Sequence, residues 1–269
     1  MTSRSDRLLT LSVSNLKGGA AKTVSSVVLT EVMALAGANV LLVDLDPQGT
    51  GSAWLAGRSD SATKLLTGGF DPGEDIDVAI GPPGRDSDQG TLDVLKPENV
   101  GRVDMVTANR SLEDATERRT SDLSQRLEKL WRGAEGGYDI AVVDTPPQAG
   151  SLVTASFLST AGVLVPVAAG RGAVDGLQHV LQYTRRIGGA GVRAAFACNV
   201  DARTYLDKQV AEKLVDQLGQ ISEGGRACQH YVRSTVSVRE AEAASEPLGS
   251  YAGNSTAWIG YMASARELH

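Results

Sequence analysis

The chain has 269 residues, a formal net charge of −6, and 42% hydrophobic and 22% charged residues, enough for one large α/β domain or two small ones. No stretch approaches the roughly 18 uninterrupted apolar residues of a membrane span, and the N-terminus has no signal-peptide cleavage site. The two cysteines, Cys198 and Cys228, lie far apart with no C-x-x-C spacing, which argues against zinc, an iron–sulfur cluster or a disulfide framework. The expectation is a cytoplasmic protein in which both cysteines are buried small hydrophobes.

In chain order, LLTLSVSN (8–15) reads as a first strand, residues 22–37 as a helix stopped by Gly37, and NVLLVDLD (39–46) as a second strand buried on both faces. Residues 68–91 are rich in Gly, Pro and Asp without periodicity and predict a surface loop or insertion, with a domain linker as the alternative. Further strands are expected at 103–109, 138–147, 161–168 and 192–199, with helices near 111–133, 150–160, 172–187 and 204–218; Arg171 reads as a solvated helix-start residue. The C-terminal part predicts two helical segments broken at Pro247–Gly249 and packed on the sheet edge. This βαβ alternation predicts an α/β fold, a mostly parallel, doubly wound sheet flanked by helices, in a single domain spanning 1–269.

The stretch SNLKGGAAKTVSS (14–26) joins the first strand to the first helix. A Gly-containing turn at that junction directs backbone N–H groups and the positive helix end at an anion. Lys22 is placed to reach β and γ phosphates, and the Thr23 hydroxyl to ligate Mg²⁺. Gly18 and Gly19 allow close approach or positive φ. Two later strands end in carboxylates, Asp44 and Asp46 in LLVDLDPQG and Asp144 in YDIAVVDTPP, and such carboxylates converge on the crevice where ligands of parallel sheets bind.

These three motifs, with KGGAAKT fitting the deviant pattern K-G-G-x-x-K-[ST], resemble the ParA-type partition ATPases of the ParA/MinD group of P-loop NTPases. Weaker resemblance runs on through VTANRSLEDA (106–115), CNVDARTYLDKQV (198–210) and VRSTVSVREAEAA (232–244). The resemblance implies ATP and Mg²⁺ as cofactors, held by a loop of Lys17, Gly18, Gly19, Ala20, Ala21, Lys22, Thr23 and Val24. It implies that Lys17 reaches the nucleotide of the other subunit in an ATP-sandwich homodimer while Lys22 acts within its own. Asp46 would position the attacking water with Asp44 nearby, and Asp144, together with Asp46, would support the metal. The chain departs from the family at Ala21, where most members have Gly, at Val24, where they have a second Thr, and at Ala168, Ala169 and Gly170 in place of a Gln and Glu. A positive φ at Ala21 would cost on the order of 1 kcal/mol.

Residues 185–240 carry nine Lys or Arg against six Asp or Glu, a local +3 in an acidic chain. The resemblance places nonspecific DNA contacts in this region, with Arg193, Arg203, Arg226, Arg233 and Arg239 as candidates that bind phosphates without reading bases. It further implies a nucleoid-associated ATPase whose weak hydrolysis is stimulated by a ParB-like partner, and a short type without an N-terminal helix-turn-helix. A protein cargo in place of plasmid or chromosome, or a weakly active regulatory switch, are the alternatives. A MinD-like membrane cycle would need a basic amphipathic C-terminus, and WIGYMASARELH has only Arg266. A metabolic relative would need extra catalytic motifs or bridging cysteines.

Overall fold

A computed structural model describes residues 7–80, 100–170, 172–201, 203–205, 209, 212–213 and 225–268. Along the chain these form β1 (Leu9–Val13), α1 (Lys22–Leu35), β2 (Val40–Asp44), α2 (Thr50–Leu55), α3 (Ser61–Thr67), β3 (Asp77–Ile80) and β4 (Val103–Val106). A 3₁₀ helix (Arg110–Glu117), α4 (Thr120–Ala134), β5 (Ile140–Asp144), α5 (Ser151–Ser159), β6 (Gly162–Ala168), α6 (Ala173–Ile187) and β7 (Val192–Cys198) follow. The C-terminal part adds β8 (Arg226–Ala227), α7 (Ser237–Ala244), α8 (Leu248–Ala252) and α9 (Thr256–Glu267).

The strands join in one sheet of order β3-β4-β2-β5-β1-β6-β7-β8. Every neighbouring pair is parallel except β3 with β4. The central strands are short apolar runs because helices cover both faces, so all but the first residues of β1 and β5 are buried and alternate residues feed different layers. Val40 and Leu42 pack with Val27, Leu29, Trp258 and Tyr261 on one side; Leu41 and Val43 pack with Leu66, Leu127 and Trp131 on the other. Helix α6 covers the far strands with Leu177 and Val180 against Val165 and Val167.

The strands and helices expected up to β7 are found; helices α2 and α3 are added where the sequence carried no expectation, and three further differences stand out along the chain. Residues 77–80, inside the expected loop at 68–91, form the antiparallel edge strand β3, and 81–91 lie outside the described residues. The edge position explains the weak signal: β3 is only half-buried, so it needs no apolar periodicity. The single helix expected at 111–133 is two, because Arg118 and Arg119 are extended and Asn109 starts the first piece by accepting from Ser111 N at 2.8 Å. At the C-terminus three helical segments replace two; the extra break falls where Ser255 caps α9 by accepting from Trp258 N at 3.2 Å. Arg171 and most of 204–218 lie outside the described residues. Cys198 and Cys228 are buried free thiols, each pushed up to about 12 by burial.

Helix α1 is apolar on most of its surface because it is wedged between the sheet and the C-terminal helices. Ser25 Oγ lies 3.1 Å from Tyr261 Oη, and Tyr261 packs edge-on against Phe196. Glu31, buried on the same helix, accepts from Gly249 N at 2.9 Å and so closes the first turn of α8. Burial outweighs the backbone donors and pushes the Glu31 carboxyl up to about 7. A carboxyl raised in the folded state from an ordinary value of 4.5 favours the fold while protonated, and that contribution is lost as pH rises through about 7. Between those values Glu31 removes about 1.4 kcal/mol of stability per pH unit. Glu31→Gln should therefore gain stability relative to the parent as pH rises from 4.5 to 7, measured as a widening difference in urea midpoint at constant m-value.

Candidate functional site

The loop 14–21 leaves β1 at the carboxyl ends of the parallel strands. Asn15 fixes its start: Nδ2 donates to Pro166 O on β6 at 2.9 Å, while Ser14 N donates to Leu164 O at 3.0 Å. Gly18 and Gly19 are exposed, Gly19 has φ 71°, and no heavy atom lies within 4 Å of where either Cβ would stand. Ala20 is buried, and its carbonyl accepts from Cys198 Sγ at 3.8 Å.

Ala21 has φ 57° and ψ 30°, the left-handed region, and stands immediately before α1. The strain expected from an alanine there is present, and the turn still closes into the helix, with Ser25 N donating to Ala21 O at 2.9 Å. The positive φ aims Lys22 back over the loop, where Nζ donates to Lys17 O at 3.4 Å. Lys22 is buried, and desolvation lowers its pKa against the pull of Asp144 and Asp46. Thr23 is half-buried beside it, and Val24 packs onto the core below α1. Lys17 is exposed, and its Nζ lies 3.6 Å from where a Gly172 Cβ would be, next to the first turn of α6.

Asp44 and Asp144 end neighbouring strands in direct register. Both are buried, and burial raises both, with the charge of Asp44 as a second cause at Asp144. Their surroundings differ. Asp44 accepts from Asp46 N at 2.9 Å in the turn that follows its strand, and from Ser52 N at 3.0 Å and Ser52 Oγ at 2.7 Å in the first turn of α2. Asp144 Oδ1 accepts from Ser26 Oγ at 3.0 Å, Thr23 close by favours the charged carboxyl against the burial that raises it, and Oδ2 is buried without a partner. Asp46 is half-buried and accepts from Gln48 N at 2.9 Å, folding the chain back at Asp46–Gly49. Gly49 is required there, since its φ is 57° and a Cβ would meet Ala108 O at 2.4 Å.

These residues fit a nucleoside triphosphate and its Mg²⁺. The unobstructed space over Gly18 and Gly19 suits phosphate approach, and the orphaned Asp144 Oδ2 beside Thr23 suits a cation or its water. Among the described residues no three His, Cys, Asp or Glu side chains are grouped to hold a metal alone; Mg²⁺ usually takes most of its ligands from phosphates and water.

The structure brings together Lys17 to Val24, Asp44, Asp46 and Asp144, and it separates the candidate arginines. Arg193 begins β7, and Arg226 pairs opposite Ala194, toward the end of the sheet away from the phosphate loop. Arg233 bridges to Val200 beyond the carboxyl end of β7, Arg239 is exposed on α7, and Arg203 is held bidentately by Asp201 at 2.8 and 2.9 Å. Sequence reading missed Ser26, Ser52 and Asn15. Ser26 lies one helical turn after Lys22 and so on the same face, a usable signal; the Ser52 and Asn15 contacts depend on how distant segments meet.

A family described as an AAA domain matches residues 9–190. The chromosome partitioning protein ParA of Caulobacter vibrioides (strain NA1000 / CB15N) is 26% identical over 273 residues, covering 97% of this chain and 94% of that one. The sporulation initiation inhibitor protein Soj of Bacillus subtilis (strain 168) is 26% identical over 211 residues, 76% of this chain and 78% of Soj. Among solved structures, the septum site-determining protein MinD of Pyrococcus horikoshii OT3, complexed with Mg-ADP, matches with a TM-score of 0.71 at 15% identity over 97% and 95% of the two chains. The chain belongs to this family, within the ParA/MinD group of P-loop NTPases.

The left-handed backbone at Ala21 gives a direct test. Ala21→Gly should raise the unfolding free energy by about 1 kcal/mol, since relief of the Cβ clash exceeds the extra unfolded-state entropy of glycine. Urea unfolding of the two proteins measures it.

Proposed function

We propose that this protein is an ATP-dependent partition ATPase: an ATP-bound sandwich dimer holds DNA nonspecifically and is released by partner-stimulated hydrolysis, segregating plasmid or chromosomal DNA. The observation that carries the reading is the division between the loop's two lysines, Lys22 buried over its own carboxylates and Lys17 exposed at the front of the same loop. Contributed across a dimer, the exposed Lys17 would complete the phosphate site of a second protomer, which would tie hydrolysis to dimerisation. The names of the relatives support partition as the process.

Bound Mg²⁺ would neutralise charge on the β and γ phosphates, with the Thr23 hydroxyl as ligand and Asp144 holding its water. Lys22 binds the phosphates within its own subunit. Asp46 orients the attacking water from a turn that Asp44 and Ser52 keep closed; Asp44, with its acceptors used inside the chain, is a positioning residue. DNA phosphates are met by arginines of the 185–240 segment. Arg233 and Arg239 are favoured because both are exposed and follow the carboxyl ends of the strands, whereas Arg203 is already neutralised by Asp201. A ParB-like protein supplies site-specific DNA reading and stimulates turnover. The protein is placed in the cytoplasm on the nucleoid, and the whole chain is read as one P-loop domain. No described helix is long and apolar enough to cross a membrane.

Gel-shift titrations on unrelated DNA sequences with ADP, ATP and a slowly hydrolysed analogue test the reading. Binding should require ATP or the analogue, ignore sequence and fall steeply with salt. Replacing Arg233 and Arg239 by Ala should lower the salt slope of the dimer by roughly 3 to 4, at about 0.9 for each DNA phosphate no longer neutralised, with nucleotide affinity unchanged. Equal binding in all nucleotide states, or none, would favour a protein cargo or a regulatory switch. In the same preparations Lys17→Ala should retain ATP binding but lose ATP-dependent dimerisation on sizing columns, and turnover at the parent's rate in this variant would rule out the sandwich.

A further inference from the structure

Beside the Asp46 turn lies a cavity of about 370 Å³ lined by Gln48, Arg58, Asn109, Arg110 and Ser111. None of these residues belongs to the phosphate loop or to the carboxylates at the strand ends. The lining holds two guanidinium groups and no carboxylate, and among the described residues neither arginine is in an ion pair. Arg58 is fixed in place, because its Nε donates to the carbonyls of Gln48 and Gly49, each at 3.1 Å; its terminal nitrogens remain as donors. Asn109 Oδ1 is taken by Ser111 N and Oγ at 2.8 and 2.7 Å, so this carboxamide also offers its N–H groups. A concave site with two guanidinium donors, no carboxylate and the Asn109 acceptor already used matches an anion with several oxygens.

We propose that this cavity binds a small oxyanion-bearing molecule, a phosphate or carboxylate compound, gripped by Arg58 and Arg110. The site also meets the hydrolytic machinery. The two carbonyls clamped by Arg58 belong to the turn that carries Asp46, and Ala108, next to Asn109, donates its N–H to Ser52 Oγ at 2.8 Å, which in turn donates to Asp44. An anion that draws on Arg58 acts on the carbonyls that close the Asp46 turn and so changes turnover; this second part rests on the ATPase reading, the binding does not.

The test uses the full chain, with and without Mg-ADP, titrated with inorganic phosphate and separately with citrate while backbone amides are followed by NMR. The amides of Gly49 and Ser111 should shift saturably with an affinity on the order of 1 mM, independently of any change at Gly19 and Ala20, which report the phosphate loop. The stronger of the two anions identifies phosphate or carboxylate as the natural chemistry. Arg110→Gln should weaken the response about tenfold or more, and Arg58→Lys, which keeps the charge but loses the double clamp, should weaken it too. No saturable shift with either anion, or unchanged shifts in Arg110→Gln, overturns the site. Turnover of ATP with and without the tighter anion then decides the coupling: a change seen in the parent and absent in Arg110→Gln supports it, and no change removes it. A protein that does not hydrolyse ATP would still show the shifts, so failure of the ATPase reading is distinguishable from failure of the site.

Discussion

Two carboxylates and an ammonium group are buried together at the centre of this sheet, with Asp44 0%, Asp144 1% and Lys22 7% exposed. Removing such charges from water is costly unless each is met by opposite charge or hydrogen bonds. The two acids repel one another across neighbouring strands, and the Lys22 ammonium, drawn toward Asp144 and Asp46, is itself destabilised as a cation by burial. The fold accepts this arrangement because β2, β5 and β1 lie side by side, which brings two strand ends and the loop after a third to one crevice. A site holding unbalanced buried charge is prepared for a ligand that carries the missing groups, and a polyphosphate with its metal supplies both signs.

The phosphate loop holds a second tension. Alanine at the left-handed position before α1 is disfavoured, yet its main-chain angles are those that turn Lys22 over the loop. Tertiary contacts maintain the conformation from both sides. Asn15 and Ser14 tie the loop to β6, and Cys198 meets the carbonyl of Ala20 from β7. Helix α1 is held by Tyr261, and through Glu31 by the start of α8. The C-terminal helices thus act on the nucleotide loop indirectly, as the brace of the helix that begins with Lys22.

The turn after β2 is built by the same logic of overdetermined contacts. Asp44 takes three donors from it and from the first turn of α2, Gly49 passes too close to Ala108 for any side chain, and Trp54 on α2 donates from Nε1 to Glu246 O at 2.7 Å. Asp46 therefore stands on a rigid support connected both to the arginine-lined cavity and to the C-terminal helices. Side chains on such supports have little freedom left to lose when a ligand arrives.

By itself the sequence determined the βα alternation, the buried central strands, the phosphate loop with its two lysines, and the three aspartates at strand ends. All of these are local: a period of two or an unbroken apolar run, a glycine-rich turn, an acid at the end of a strand. It also announced Ala21 as a departure from the family. Tertiary structure decided what depends on segments far apart in the chain. The edge strand at 77–80 exists because β4 lies there to pair with it. Asp44 becomes a brace because Ser52 returns to it, and Asp144 keeps an unmet oxygen because Ser26 reaches only the other oxygen of the carboxyl. The locally basic segment of the sequence is divided between the two ends of β7, since a strand of seven residues, at about 3.3 Å per residue, carries its two ends apart.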